Sequence, residues 1–154
     1  MQPRFHIVMF HPEIPHNTGA AGRLALATGS RLHLIKPLGF SLDEKHVRRT
    51  GLDYWAKVDL HVWDSLEELK QAAAPGAQFW YLSTKAPRSH WDAVFHAGDY
   101  LVFGPESRGL PESLLREHAD PALTIPMPGQ GARSLKLSTA VAVVLYEGLR
   151  QTGS

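Results

Sequence analysis

The sequence contains no cysteine, which excludes disulfides, thiolate metal sites and cysteine nucleophiles. It also lacks an excess of either charge, since 16 lysines and arginines face 15 acidic residues, for a formal net charge of +1. This balance excludes a surface that is basic throughout, but it leaves room for a local basic patch. No window approaches the roughly 18 apolar residues of a membrane span, and the first residues lack the pattern of a signal peptide. We therefore expect a cytoplasmic protein that does not contact a membrane.

Several common catalytic signatures are missing as well. Neither a G-x-S-x-G elbow nor a Walker A loop occurs, so hydrolase and P-loop interpretations lack support. Nine histidines are present, but the spacing of His6, His11 and His16 fits no ligand pattern, and we expect no metal site. The loop "PGQGARS" contains Gly129 and Gly131. It comes too late in the chain for a dinucleotide fingerprint and is incomplete, so a nicotinamide cofactor is only a distant alternative.

Short apolar runs alternate with helical patterns along the chain. The runs are "FHIVMF", "RLHLIK", "DLHVW", "QFWYL", "YLVF" and "LTIPM". Such alternation predicts an α/β domain with a largely parallel sheet. The sequence has no repeat, low-complexity stretch or linker, so a single domain over residues 1–154 is expected.

Two helices have recognisable ends. Asn17 or Thr18 is expected to cap a helix after the first strand, and Gly29 is placed to end it. The late run "AVAVVL" is rich in valine and resembles a strand by propensity. We nevertheless predict a helix there, because Ser138 and Thr139 offer caps and "VLYEGLRQ" continues without a turn signal.

Two loops combine charge with glycine. "FGPESRGLP" follows a predicted strand, so Glu106 and Arg108 emerge where open α/β sheets bind ligands, although a plain turn is the alternative. In "HPEIPHNTGAAGRLA", a helix N-terminus and Arg23 would suit an anion. The alternative is an ion pair between Glu13 and Arg23, which would contribute little if exposed.

A third segment, "DEKHVRRTG", clusters Lys45, Arg48 and Arg49 on one short predicted helix. A solvated helix face is the ordinary explanation for such a run. Contact with an RNA backbone is the alternative, and it gains support if the cluster shares a surface with three other cations, Arg23, Arg133 and Lys136.

Four ordered motifs together resemble the SPOUT superfamily of RNA methyltransferases. They are "PEIPHNTG…RLA", "TGSRLHLIKPLGFSLDEKHVRRTGLDYW", "DYLVFGPESRGLP" and "IPM…RSLKLSTAVAVVLYE". The nearest match is the small TrmL/YibK-type subfamily, which methylates the ribose 2′-hydroxyl of the tRNA wobble nucleotide, a cytidine or uridine at position 34. The resemblance covers nearly the whole chain.

The resemblance implies an α/β-knot fold, in which the C-terminal segment threads a trefoil knot that holds S-adenosylmethionine. It also implies a homodimer that acts on the tRNA anticodon loop. The positions that match the family's cofactor contacts are Leu82, Thr84, Gly104, Glu106, Ile125, Met127, Ser134 and Leu135. Arg23 matches the family arginine proposed to activate the ribose hydroxyl, and Tyr146 matches a tyrosine of the dimer and RNA surface.

One departure from the family pattern bears on function. Lys136 stands where the family usually has asparagine in "RSLNLSN", and a lysine there would contact a tRNA phosphate or alter the charge of the site. Two alternatives to wobble methylation therefore stay open. One is 2′-O-methylation of another tRNA or ribosomal RNA position, and the other is an RNA-binding module that has lost catalysis.

Overall fold

The structure, a computed structural model, describes residues 2–42, 54–129 and 131–153. Within these ranges it contains six strands and four α-helices. The strands are β1 (His6–Phe10), β2 (Arg31–Ile35), β3 (Leu60–Trp63), β4 (Phe79–Leu82), β5 (Tyr100–Phe103) and β6 (Ala122–Leu123). The helices are α1 (Pro15–Thr28), α2 (Leu66–Ala72), α3 (Glu112–Glu117) and α4 (Leu137–Thr152). Two short 3-10 turns lie at Trp55–Lys57 and His90–Asp92.

All six strands join one sheet in the order β3-β2-β1-β5-β4-β6. Every pairing in this sheet is parallel, so the predicted α/β class with a largely parallel sheet is confirmed. Every predicted apolar run contributes a strand, but the last is shorter than its run, since β6 ends at Leu123 and leaves "IPM" as a loop.

The helices cover both faces of the sheet. α1 and α4 pack on one face, where Ala21, Ala25, Val144 and Leu145 join the strand side chains of the larger core cluster. α2 and α3 lie over the other face, where Leu66 and other side chains meet a second cluster. Both faces of the sheet are thus buried, which explains why the strands are continuously apolar rather than alternating.

The predicted ends of α1 are half right. The helix ends at Gly29, which has φ 68° as a left-handed cap requires. It begins at Pro15 rather than near Thr18, however, and its N-cap is Ile14, which contributes no side-chain cap. Proline fits the first turn because its missing N–H would have no partner there. Asn17 therefore lies inside the helix, and its side chain makes a tertiary contact described below.

The late valine-rich run forms α4, as predicted. Its buried positions Val141, Val144, Leu145 and Leu149 recur at helical spacing. The helix begins at Leu137 with Lys136 as N-cap, two residues before the first predicted cap, and no side chain caps it. Among the described residues, no helix has both the length and the hydropathy that a membrane crossing requires. The trefoil knot stays a prediction.

Candidate active site

A crevice opens at the carboxyl ends of two neighbouring strands, β1 and β5. The chain after β1 leads into α1 on one face of the sheet, whereas the chain after β5 leads into α3 on the other. Connections that diverge in this way leave a gap between them, and open α/β sheets bind their ligands in such gaps.

One cleft of about 800 Å³ extends from this crevice across the ends of β5, β4 and β6. Its volume falls within the range of roughly 300–1,000 Å³ that is usual for small-molecule sites. All eight positions predicted to contact the cofactor line this cleft: Leu82, Thr84, Gly104, Glu106, Ile125, Met127, Ser134 and Leu135. These positions come from four separate segments: three follow the neighbouring parallel strands β4, β5 and β6, whose ends lie at one edge of the sheet, and the fourth leads into α4.

The cleft combines apolar walls with a cationic rim. Leu82, Phe103 and Leu110 are buried and contribute apolar surface. The lining also includes four cations, Lys85, Arg108, Arg133 and Lys136. Such a site suits a ligand with a flat apolar part, next to a partner that carries negative charge.

The side chain of Glu106 is directed at α1. One carboxylate oxygen accepts the backbone N–H of Glu13 at 2.8 Å. The other accepts the backbone N–H of Ile14 at 2.8 Å and the side-chain amide of Asn17 at 3.0 Å. A carboxylate is therefore placed at the positive end of the α1 dipole, as such helix ends favour. The anion predicted at this helix start is thus supplied by the protein itself.

The side chain of Glu13, in the loop after β1, binds in turn to the loop after β5. Its carboxylate accepts the backbone N–H of Ser107 at 2.8 Å and the Ser107 hydroxyl at 2.9 Å. These two hydrogen bonds lower the pKa of the Glu13 carboxyl below its ordinary value. Among the described residues, the cation that acts on this carboxyl is Arg108, and Arg23 lies against Tyr54 instead, so the structure does not support the suggested ion pair between Glu13 and Arg23.

Gly104 permits the loop after β5 to fold back on itself. A Cβ atom at this position would collide with the backbone of Gly109 and Leu110. Gly109 has φ +69° and donates its N–H to the carbonyl of Pro105 at 2.9 Å. Glycine is required here because two backbone segments approach each other closely, which is a structural reason independent of any ligand.

Arg23 does not line the cleft. It lies on the exposed side of α1, seven residues after His16, and so shares a helix face with that cleft residue. Its guanidinium stands 5.8 Å from the centre of the Tyr54 ring. The Tyr54 hydroxyl donates to the carbonyl of Gly19 at 3.3 Å, and burial raises its pKa. Arg23 thus lies over an aromatic ring, at the distance of a cation–π contact.

The predicted RNA-binding residues divide into three groups. Arg133 and Lys136 line the cleft, and both are exposed. Tyr146 lies outside it on α4, half exposed. Lys45, Arg48 and Arg49 lie outside the described residues.

Sequence reasoning missed several residues of the cleft. His16 and Asn17 enter it from α1, and Lys85 follows Thr84, whereas Arg108, which the sequence had already placed at this strand end, also lines it. Asn17 is 1% exposed, and its Oδ1 has no partner among the described residues, so an acceptor is buried beside the cleft. Asn17 and Arg108 stand within the quoted motifs, so the signal was present. Among the described residues, no group of three or more His, Cys, Asp or Glu is arranged to hold a metal ion.

Comparison with known proteins gives consistent results. A model described as the SpoU rRNA Methylase family matches residues 4–146. The chain is 50% identical over 153 residues to the tRNA (cytidine(34)-2'-O)-methyltransferase of Saccharophagus degradans, with 97% of this chain and 96% of that protein covered. It is 47% identical to the protein of the same name from Aeromonas hydrophila, with 96% and 94% covered.

A solved structure is also similar to this protein. One reported under the words "Structural insights into the 2-OH methylation of C/U34 on tRNA" has a TM-score of 0.89 and 49% identity, and the match covers 96% of this chain and 95% of that chain. This chain belongs to the SpoU methylase family. The family prediction made from the four motifs is therefore confirmed.

Proposed function

We propose that this protein is a tRNA methyltransferase that transfers a methyl group from S-adenosylmethionine to the ribose 2′-hydroxyl of nucleotide 34, a cytidine or uridine. The observation that carries the proposal is the single cleft that collects all eight expected cofactor positions at the carboxyl edge of the sheet. Relatives that match nearly the whole chain are named for this reaction at cytidine 34.

The residues of the cleft fit the proposed cofactor. Leu82, Ile125 and Leu135 offer apolar surface for an adenine ring, and the loops after β4 and β6 bring backbone groups to the same space. Ser134 is exposed at the cleft and is free to contact the polar end of the molecule. S-adenosylmethionine supplies a methyl group on a sulfonium, which serves as both electrophile and leaving group.

The protein then has two tasks, which are to align the ribose 2′-oxygen and to stabilise the negative charge that develops on it. Arg23 is our candidate for the second task. A guanidinium is a permanent cation with five donors, so it is better suited to stabilise an alkoxide and hold a neighbouring phosphate than to remove a proton. Arg133 and Lys136 are placed to contact phosphates of the RNA strand.

An accessible anticodon loop suits such a site. Single-stranded RNA exposes its bases and 2′-hydroxyls, whereas a helix presents mainly its backbone. Among the described residues, the cations that line the cleft are Lys85, Arg108, Arg133 and Lys136, and a group of this size fits the phosphates of a short single-stranded segment. Because tRNA is the substrate, we expect the protein to work in the cytoplasm.

A homodimer is the second part of the proposal. Val143 and Tyr146 lie three residues apart on one face of α4 and are 37% and 50% exposed. Trp91 and Val94 are more exposed still, at 65% and 64%. Both belong to the segment that Gln151 of α4 anchors, since the Gln151 side chain bonds the backbone of residues 93 and 95. Large apolar groups concentrated beside one helix are typical of an interface between protein chains.

The dimer is tested by Val143→Asp. We expect this variant to sediment as a monomer where the wild type sediments as a dimer. Val62→Asp is a matched control, because Val62 is equally exposed on β3, and it should leave the dimer intact. A wild type that is monomeric at micromolar concentration would contradict the proposal.

The reaction is tested by transfer of labelled methyl from S-adenosylmethionine to unfractionated tRNA, followed by nucleoside mapping. A 2′-O-methylated nucleotide 34 is the expected product. Methylation at another position would favour the other-RNA alternative. Cofactor binding without transfer to tRNA or ribosomal RNA would favour the binding module.

Arg23→Ala tests the catalytic assignment. We expect a loss of transfer by at least about 100-fold, the scale of one lost electrostatic group, with cofactor affinity in calorimetry nearly unchanged. Arg116→Ala removes an exposed arginine from α3 and should change neither quantity. Ser134→Phe should instead weaken cofactor binding, and an unchanged affinity would remove Ser134 from the site.

A further inference from the structure

Each of the two loops that border the crevice carries a glutamate whose carboxylate accepts hydrogen bonds from the other loop. Glu106, after β5, accepts three hydrogen bonds from residues at the start of α1. Glu13, after β1, accepts two hydrogen bonds from Ser107. We infer that Glu13, acting through Ser107, is a positioning residue that fixes α1 and Arg23 relative to the cofactor cleft. This inference rests on the proposed methyl transfer and adds a residue to it.

The hydrogen bonds of Glu13 and Glu106 span the crevice between two diverging segments. β1 and β5 are hydrogen-bonded along their length, but beyond their ends the chain diverges to opposite faces of the sheet. All five hydrogen bonds measure 2.8–3.0 Å and join residues 89–94 positions apart in sequence. Hydrogen bonds of this length to a charged carboxylate are stronger than those between neutral groups. Bonds that belong to one network also strengthen one another.

α1 depends on these hydrogen bonds for its start. Its N-cap is Ile14, it has no acidic residue in its first turn, and no side chain of its own caps it. The unpaired N–H groups of a helix start need partners from elsewhere. Glu106 accepts the N–H of the N-cap residue Ile14 and of Glu13 just before it, and Glu13 holds the Glu106 loop in place by binding the next residue, Ser107.

The backbone of Glu13 is itself fixed from the other side. Gly39, in the loop after β2, donates its N–H to the carbonyl of Pro12 at 2.9 Å. A Cβ atom on Gly39 would lie 2.9 Å from the Cα and carbonyl oxygen of Glu13. The backbone that carries the Glu13 carboxylate is therefore held in place, which a residue that positions another segment requires.

The consequence reaches Arg23 through the helix. Arg23 follows Asn17 by six residues, about 9 Å along the helix axis at 1.5 Å per residue. The intervening turn is packed tightly, because a Cβ on Gly22 would lie 2.8 Å from the Trp55 ring. A small shift at the start of α1 would thus move Arg23 as a unit with the helix. Displacement by about 1 Å can lower a rate by about 100-fold.

The test is Glu13→Gln, compared with Ser107→Ala. Glutamine keeps one acceptor oxygen but replaces the other by an amide that cannot accept the second bond of Ser107. Ser107→Ala removes only the hydroxyl and leaves the backbone N–H. We expect kcat for methyl transfer to fall about 10- to 100-fold in Glu13→Gln and less in Ser107→Ala. The Kd for S-adenosylmethionine in calorimetry should stay within about threefold in both.

The double variant makes the test specific. If Glu13 acts through Ser107, Glu13→Gln with Ser107→Ala should be little worse than Glu13→Gln alone, because both changes remove one interaction. Glu67→Gln removes a carboxylate from α2 on the opposite face of the sheet and should change neither kcat nor Kd. Wild-type kcat in Glu13→Gln would overturn the inference, as would equal losses in kcat and cofactor affinity.

A second measurement needs no substrate. Hydrogen exchange of the backbone amides of residues 13, 14, 16–19 and 107 should rise at least tenfold in Glu13→Gln, while the strands keep wild-type protection. If hydrogen exchange at these amides is unchanged in Glu13→Gln, the positioning role of Glu13 is overturned, whatever the activity of the variant. A wild type that methylates no tRNA would overturn the proposed function and with it the role of Glu13 in transfer, so the two failures are distinguishable.

Discussion

Acid should destabilise this protein steeply below pH 6, because two histidines in the sheet are held neutral. His6 and His33 are 7% and 1% exposed. They form a chain of hydrogen bonds with Trp63, in which His33 Nδ1 lies 3.0 Å from the indole nitrogen and His33 Nε2 lies 2.8 Å from His6 Nδ1. His6 also stacks on Tyr100, with ring centres 3.9 Å apart.

Trp63 decides which nitrogen donates in each of these hydrogen bonds. An indole N–H can only donate, so His33 Nδ1 must accept and His33 must carry its proton on Nε2. That proton is donated to His6 Nδ1, which must therefore be unprotonated. Adding a proton to either acceptor would place two donors against each other. Burial, with a further contribution from Arg31 for His6 and from His6 itself for His33, lowers the pKa of His6 to about 4 and that of His33 to about 3.

The sign of the pH effect follows from these values. In the unfolded chain both histidines titrate near pH 6.5, so above that pH they are neutral in both states and the stability is fully present. As the pH falls, the unfolded chain takes up protons that the folded protein does not, and the free energy of unfolding decreases. Between pH 6 and pH 5 the loss is about 1 kcal/mol for each histidine and about 2 kcal/mol for the pair.

His6→Phe isolates this contribution. Phenylalanine keeps a ring on Tyr100 but cannot be protonated, so the loss of stability between pH 6 and pH 5 should shrink by about 1 kcal/mol. The variant should also be less stable at pH 7 by about 1–2 kcal/mol, since the His33 N–H loses its acceptor. Urea unfolding followed by circular dichroism at pH 5, 6 and 7, at one protein concentration, gives both numbers.

Other histidines contribute to the total, so the comparison between variants is what decides. Burial also lowers the pKa values of His11, His90 and His118, and they remain in both proteins. His96→Phe makes the same substitution at an exposed site and serves as the control for replacing an imidazole by a phenyl ring. If His6→Phe loses as much free energy of unfolding between pH 6 and pH 5 as the wild type does, the claim that His6 is held neutral in the folded protein is refuted.

Three further predictions concern positions that the structure explains individually. Gly104→Ala should lower both stability and cofactor affinity, because the loop after β5 cannot close around a Cβ; calorimetry that finds wild-type affinity would contradict this. Gly148→Ala should destabilise by about 1–3 kcal/mol in urea unfolding, since the new methyl would lie 2.7 Å from the Phe5 ring, and a gain from the better helix propensity of alanine would show that the ring yields. Lys136→Asn should weaken tRNA binding and flatten its dependence on salt, and an unchanged salt slope would remove Lys136 from the RNA contact.

The fold was largely readable from the sequence because its signals are local. Each buried strand is a short apolar run, and the alternation with helices limits the sheet to parallel pairing. Errors fell at helix starts. Asn17, Ser138 and Thr139 have the chemistry of caps, but the N-cap N–H of α1 binds a carboxylate from residue 106, and no side chain caps α4. A cap that comes from a distant loop leaves no local signal.

The candidate site was readable only through the family motifs. Composition and spacing offered Glu106 and Arg108 as charged residues of a loop, with a plain turn as the alternative. The motifs identified eight positions from four segments, and the structure brings all eight to one cleft. Their roles toward the cofactor stay predictions, and for Glu106 the contacts with α1 already account for both oxygens of the side chain.

The crossed carboxylates also explain why two motifs far apart in sequence each contain a glutamate. Considered alone, "PEIPHN" has an acid before a helix and "GPES" an acid in a turn, and neither has a local partner. In the structure each acid binds donors of the other segment, so neither motif is complete by itself. Glu13→Gln and Glu106→Gln should therefore be strongly non-additive, since losing either acid releases the loop on which the other depends. Two independent contacts would instead give losses in kcat that multiply.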